Sequence, residues 1–161
     1  MPKFDPNRRY KYFITSLGDD ITKNKAGNAG NADFNVLLRQ QTLAIPNTER
    51  GKCLVGLSRA TLVEPDGLDD QYQIRCDLPM MNVADNCDAP LKYLATISRY
   101  NVAISTLDCW NFVQSQTLED HALLCTNPFD RPVRFLITDT QGTALTGSNE
   151  TTLVLDIQFF D

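Results

Sequence analysis

The sequence holds one histidine, His121, no Cys-x-x-Cys spacing and no apolar run longer than a few residues. Helix-period patterning is also nearly missing. Each shortage closes off a class of function. A metal centre built on several histidines is excluded. A bilayer-crossing helix needs about 20 predominantly apolar residues, and no segment approaches that. A parallel α/β sheet needs crossover helices, for which the raw material is lacking. The segment after Met1, Pro2-Lys3-Phe4-Asp5-Pro6, has no apolar stretch behind it of the kind a secretory signal carries. The chain is therefore expected to be made in the cytosol and to be soluble there.

Basic charge is scarce as well. Fifteen Lys and Arg stand against 20 Asp and Glu, for a net charge of −5 and an isoelectric point of about 4.8. Non-specific nucleic-acid binding needs a basic surface that displaces counterions, so nucleic acid is not expected as the main partner. Only Lys3, Arg8, Arg9 and Lys11 form a loose basic cluster. Residues 1–9 read either as an N-terminal arm for phosphates or an acidic neighbour, or as a plain solubilising end, which is the preferred reading.

What is present is ordinary for one globular domain. The 161 residues are 42% apolar and 22% charged, enough to bury a single core without metal or disulfide, so 1–161 is read as one domain. The cysteines, Cys53, Cys76, Cys87, Cys109 and Cys125, are odd in number and widely spread. That pattern suits free thiols buried as small hydrophobes better than a zinc site or a secreted disulfide scaffold. Pairing within an assembly stays open.

The dominant pattern is alternation with period two, which places every second side chain on one face of a strand. Tyr10, Tyr12 and Ile14 share a face; Phe34, Val36 and Leu38 follow, with Leu43 and Ile45 before Pro46. Cys53, Val55 and Leu57 begin a strand over 52–63, and Tyr72, Ile74, Cys76 and Leu78 oppose Gln71, Gln73, Arg75 and Asp77. Leu91, Tyr93, Ala95 and Ile97 alternate, then Val102 and Ile104, then the β-prone stretch Cys109–Val113. Val133, Phe135 and Ile137 form one late strand, and Leu153, Leu155, Ile157 and Phe159 the last. Turn formers separate these runs, giving about eight or nine strands. The best helix candidate is 116–125, where Leu118, Ala122 and Cys125 share a face. Lys23–Asp33 reads as a polar loop. The expected fold is all-β, a two-sheet antiparallel sandwich, best matched by a single jelly roll of about eight strands. An immunoglobulin-like sandwich is second, because no cysteine pair flanks Trp110 at the required spacing.

Little in the sequence points to catalysis. His121 lies between Glu119-Asp120 and Ala122, and a carboxylate beside a histidine orients it and raises its pKa. A Cys–His or Ser–His pair is one reading; a surface or loop histidine is the plainer one and is preferred. Carboxylates gather at Asp19-Asp20 and at Asp66, Asp69 and Asp70, but without calcium-loop spacing, and a solvated loop is expected. Nucleotide-binding and nucleophile-elbow motifs are missing, and the sequon Asn149-Glu150-Thr151 means little without a secretory route. No catalytic residue, cofactor or metal ligand is assigned, and an enzyme is not expected. Surfaces such as 39–42 and 114–117 carry Gln, Ser and Thr more than dense charge, a composition suited to burial against neighbours. A carbohydrate-binding sandwich is the alternative, with Trp110, Phe112, Tyr93 and Tyr100 as its candidate aromatics, although aromatics of this kind more often fill a core.

One stretch carries a family likeness. Arg131-Pro132-Val133-Arg134-Phe135-Leu136-Ile137-Thr138 runs into Asp139-Thr140-Gln141-Gly142, and Leu153-Val154-Leu155-Asp156-Ile157-Gln158-Phe159 closes the chain. This resembles the final strand pair of small jelly-roll minor capsid, penton and cement proteins of large icosahedral double-stranded DNA viruses. Locally, Asp139 is suited to accept backbone hydrogen bonds and Gly142 to take positive φ. The resemblance implies a virion protein that packs against other capsid proteins, as a homo-oligomer or within a hetero-assembly. No catalytic residue comes with it. It also implies a hairpin between the last two strands.

Overall fold

The computed structural model describes residues 9–39, 52–66, 69–98, 109–112, 121–125 and 128–159, and for 109–112 the backbone only. Within them lie ten strands: β1 (Arg9–Thr15), β2 (Ile21–Lys23), β3 (Asp33–Leu37), β4 (Cys53–Val63), β5 (Gln71–Cys76), β6 (Lys92–Ser98), β7 (Cys109–Phe112), β8 (Ala122–Leu124), β9 (Pro132–Thr138) and β10 (Glu150–Phe159). A single 3-10 turn, Gly27–Asn31, is the only helical element among the described residues. The all-β sandwich read from the alternation is what the structure contains.

The strands form two antiparallel sheets. One runs β1-β10-β4-β7, with β8 also on β4; the other runs β2-β3-β9-β5-β6. β7 and β8 share one edge of β4, β7 along Ala60–Val63 and β8 along Cys53–Val55. Pairing is nested about the middle of the chain: β1 with β10, β3 with β9, β4 with β7 and β8, β5 with β6. It is the order of one long hairpin folded back across the gap between the sheets.

Period two fills that gap. Ile14, Phe34, Val36, Val55, Leu57, Tyr72, Ile74, Val133, Phe135, Ile137, Leu153, Leu155 and Ile157 are all buried in one core. Phe34 and Phe135 lie tilted against each other across the β3·β9 pair, and Phe129 and Phe159 stack at the other end. Two strands break strict alternation. Ser58 is an extra residue in β4, because Leu57 faces Leu155 and Arg59 faces Val154. Leu94 is extra in β6, between the partners of Ile74 and Arg75. Such bulges re-aim the side chains on either side.

Three expectations are corrected. β9 and β10 do not form a hairpin: β9 pairs with β3 and β5, whereas β10 pairs with β1 and β4 in the other sheet. The turn itself is as read. Gly142 has φ of +89°, and the Asp139 carboxylate accepts from the N–H groups of Gln141 and Thr143 at 2.8 and 2.9 Å. It returns the chain for one bridge, Thr138 to Ala144, before the crossing to β10. The helix candidate 116–125 is also overturned, since residues 122–124 form β8; residues 116–120 lie outside the described ones. Finally, Arg9 belongs to β1 and not to an arm; residues 1–8 are outside the described residues, as are the strand candidates at 43–45 and 102–106.

The loop before β3 is less solvated than its composition suggests. Asn31 is buried and donates its Nδ2 to the carbonyls of Ser148 and Asn149, both at 2.9 Å. Ser148 N–H donates to Asn28 O. At Gly30 a Cβ would stand 2.3 Å from Lys25 O, so only glycine lets the loop close on itself.

Candidate functional site

The most concentrated polar chemistry among the described residues lies on the outer face of the β1-β10-β4 sheet. In β10, Leu153, Leu155, Ile157 and Phe159 point into the core, so Asp156 points out. Its neighbour across the β4 ladder is Gly56. β8 pairs Ala122 with Val55, which brings His121 alongside Gly56 on the next step. With no side chain at 56, the imidazole lies flat across the strand: a Cβ there would stand 2.5 Å from its Cε1 and Nδ1. His121 Nε2 thereby reaches Asp156 Oδ2 at 3.3 Å. From the other side, Arg9 of β1 donates from Nε to both carboxylate oxygens, at 2.8 and 3.0 Å, and from Nη2 to Oδ2.

Both the histidine and the aspartate side chains are 1% exposed, although they sit on the outer face; Arg9 keeps 40% of its side chain in solvent. Burial pushes the Asp156 carboxyl upward, but hydrogen bonds and charge from Arg9 and His121 outweigh it and hold the group far below the usual carboxylate range. The Arg9 guanidinium is raised, chiefly by its hydrogen bond to Asp156. A histidine–carboxylate pair is half of an acyl-transfer triad. Here the carboxylate is shared with an arginine and the pair is sealed from solvent. What the arrangement does is balance charge while joining three strands.

A second buried cation organises the opposite sheet. Arg75 of β5 is fully buried. Its Nη1 donates to Asp85 Oδ2 at 2.9 Å and to Leu91 O at 3.0 Å, its Nη2 to Gln73 Oε1 at 2.5 Å, and its Nε to Thr138 Oγ1 at 3.2 Å. The guanidinium thus pins the 79–91 connection onto the sheet's outer face, and Asp85 in turn accepts from Cys87 N–H at 2.8 Å. A third pair, Arg134 with Asp33, is bidentate at 2.9 Å for both bonds.

Among the described residues, those singled out by sequence are not brought together. His121 is buried, which corrects the surface reading, and it pairs with Asp156, 35 residues further on; Glu119 and Asp120 lie outside the described residues. Asp20 pairs with Arg39 through two bonds of 3.0 Å, and Asp19 is exposed. Asp66, Asp69 and Asp70 are exposed, as a solvated loop requires. Among the described residues no group of three or more His, Cys, Asp or Glu is placed to hold a metal ion. Cys53 and Cys76 are buried, each thiol pushed up to about 12 by burial. Cys87 is half-buried and Cys125 exposed, its thiol 2.9 Å from Met81 Sδ. The Cys109, Trp110, Phe112 and Tyr100 side chains lie outside the described residues; Tyr93 is half-buried, its hydroxyl bonded to Thr96 Oγ1 at 2.9 Å.

Sequence reading missed Arg9, Arg75 and Asp156 because each occupies the polar phase of an alternating strand, where solvent exposure is the default. One signal was available. An isolated glycine inside a strand, Gly56, marks a place where another group approaches closely.

No family model and no curated protein matches the chain. A chain in the structure of infectious bursal disease virus, Gt strain, is similar over 95% of this chain and 32% of its own length, with 9% identity and a TM-score of 0.27. The protein spans about a third of that chain. A likeness that faint decides neither family nor function. No helix among the described residues is long and apolar enough to cross a membrane.

Proposed function

We propose that this chain is a viral structural protein, a minor capsid, penton or cement component, built as a single jelly roll and working by packing against other capsid proteins without catalysing a reaction. The observation that carries the reading is the strand order. The nested pairing of β1 with β10, β3 with β9, β4 with β7 and β8, and β5 with β6, divided between two sheets, supports a rolled hairpin with two Greek keys. Viral capsid domains are among the principal users of that architecture. The buried polar groups support it too, since Arg75, Asp156 and His121 are spent on internal pairing. Phe13, Leu17 and Met81 by contrast are large, apolar and exposed. On this reading the protein is made in the host cytoplasm and ends in the virion.

The test is the mass of the purified chain in solution, followed with concentration by light scattering. Self-association, or co-assembly with a shell protein, is the expected result. A monodisperse monomer that instead shows saturable binding on a glycan array, lost on Trp110→Ala, would replace this reading with a carbohydrate-binding sandwich.

A further inference from the structure

We infer that a second copy of this chain docks along the edge of β1 that no described strand covers, the two Arg9–Thr15 strands pairing antiparallel about Tyr12. This rests on the structural role proposed above and gives it a definite surface.

β1 ends its sheet: among the described strands it pairs with β10 alone. The direction of its backbone groups follows from one hydrogen bond. Ser16 N–H donates to Thr151 O at 2.9 Å, which makes 16 and 151 a hydrogen-bonded pair. In an antiparallel ladder such pairs alternate, so Ile14, Tyr12 and Tyr10 also bond inward, toward Leu153, Leu155 and Ile157. The N–H and C=O groups of Arg9, Lys11, Phe13 and Thr15 therefore face the edge. Thr15 O is already taken by Gly18 N–H at 3.0 Å.

The side chains of these same residues stand on the outer face, and the central one is apolar. Phe13 is 61% exposed, an aromatic where natural edges usually carry a charge, a proline or a bulge. The register then selects itself. Setting Lys11 opposite Lys11 of the second copy places like charges face to face. Setting Phe13 opposite Phe13 asks Thr15 O for a bond it has already given to Gly18. Setting Lys11 opposite Phe13 completes both central pairs and moves the demand on Thr15 O out to the terminal pairs, where Arg9, already neutralised by Asp156, stands opposite Thr15; it also places each ammonium beside a ring of the other copy. The edge is complementary to itself in that register. Seven residues of edge bury less than the roughly 1,200–2,000 Å² of a stable interface, so the pair is concentration-dependent by itself and would gain strength from other contacts in an assembly.

Sedimentation velocity on the full chain over roughly 1 µM to 1 mM is expected to show a monomer–dimer equilibrium. Phe13→Pro removes an N–H that does not serve β10, and Phe13→Lys sets a lysine opposite Lys11 of the second copy while leaving the backbone intact. Each is expected to weaken association about tenfold or more, with thermal unfolding by circular dichroism checking that both variants fold. The register is read by oxidative cross-linking: a mixture of Lys11→Cys and Phe13→Cys chains yields a disulfide between positions 11 and 13 by peptide mapping, in excess of either variant alone. Association that survives both Phe13 substitutions, or cross-links that map away from β1, overturns the edge pairing and leaves the structural role standing. A monomer throughout, with no shell protein bound, overturns both.

Discussion

At Gly56 a single methyl group would stand 2.5 Å from the His121 ring. The strand backbone is held on both sides, by β10 and β8, so the ring is what must move, and moving it takes Nε2 away from Asp156. Gly56→Ala is therefore expected to destabilise the fold by about 1–3 kcal/mol, the range for overpacking a filled site, as read from urea unfolding midpoints. The same cluster sets an acid limit. Asp156 titrates far below its ordinary range in the folded chain, so its contribution is present above the unfolded carboxyl's pKa of about 3.9 and is lost as pH falls toward the depressed folded value. Asp156→Asn is expected to lower stability at neutral pH by about 1–3 kcal/mol, at the modest end because Arg9 is partly solvated. It should also flatten the fall in stability below pH 4. Unfolding midpoints from pH 7 to pH 2 check this: a native profile no steeper than the variant's would place the stabilisation elsewhere.

Among elements, the 79–91 connection depends most visibly on a single side chain. It carries no strand of its own beyond the Met80–Leu124 bridge, yet Arg75 ties it down at Asp85 and Leu91. Arg75→Met keeps the stem and removes the donors, leaving Asp85 and the Leu91 carbonyl without that partner. Hydrogen exchange is expected to accelerate across residues 81–91 while the β5·β9 ladder stays protected, because the ladder's own bonds are untouched. Uniform acceleration would mean that Arg75 stabilises the whole sheet. This element also marks a boundary of legibility. Tyr72, Ile74, Cys76 and Leu78 announced β5 by their alternation, and all four are buried. Arg75 sits in the opposite phase, and nothing local distinguishes an arginine under a loop from one in water. β8 was misread for a related reason: three residues are too few to display a period, and Leu118 to Cys125 fits a helix as well as an extended segment.

The whole molecule folds by closing its longest loops. β10 lies between β1 and β4, so the final strand joins the first, and neither has that partner until nearly the whole chain is available. Non-local strand pairing of this kind is slow, and refolding from urea is expected on the millisecond-to-second scale typical of β-sandwiches, followed by stopped-flow tryptophan fluorescence. Removing residues 150–161 is expected to abolish cooperative unfolding, since it takes the centre out of one sheet. What the amino-acid order determined by itself is local. Alternation of apolar and polar residues requires strands, turn formers bound them, and Asp139 with Gly142 builds the turn that its chemistry dictates. Strand partners were decided only in three dimensions. The Asp139–Gly142 turn looks the same whether the chain turns back on β9 or crosses to the other sheet. The choice depends on β3, β5, β1 and β4 occupying the available edges. The burial of Arg75, His121 and Asp156 follows from that choice, because a polar residue is enclosed only when a distant segment arrives to cover and pair it.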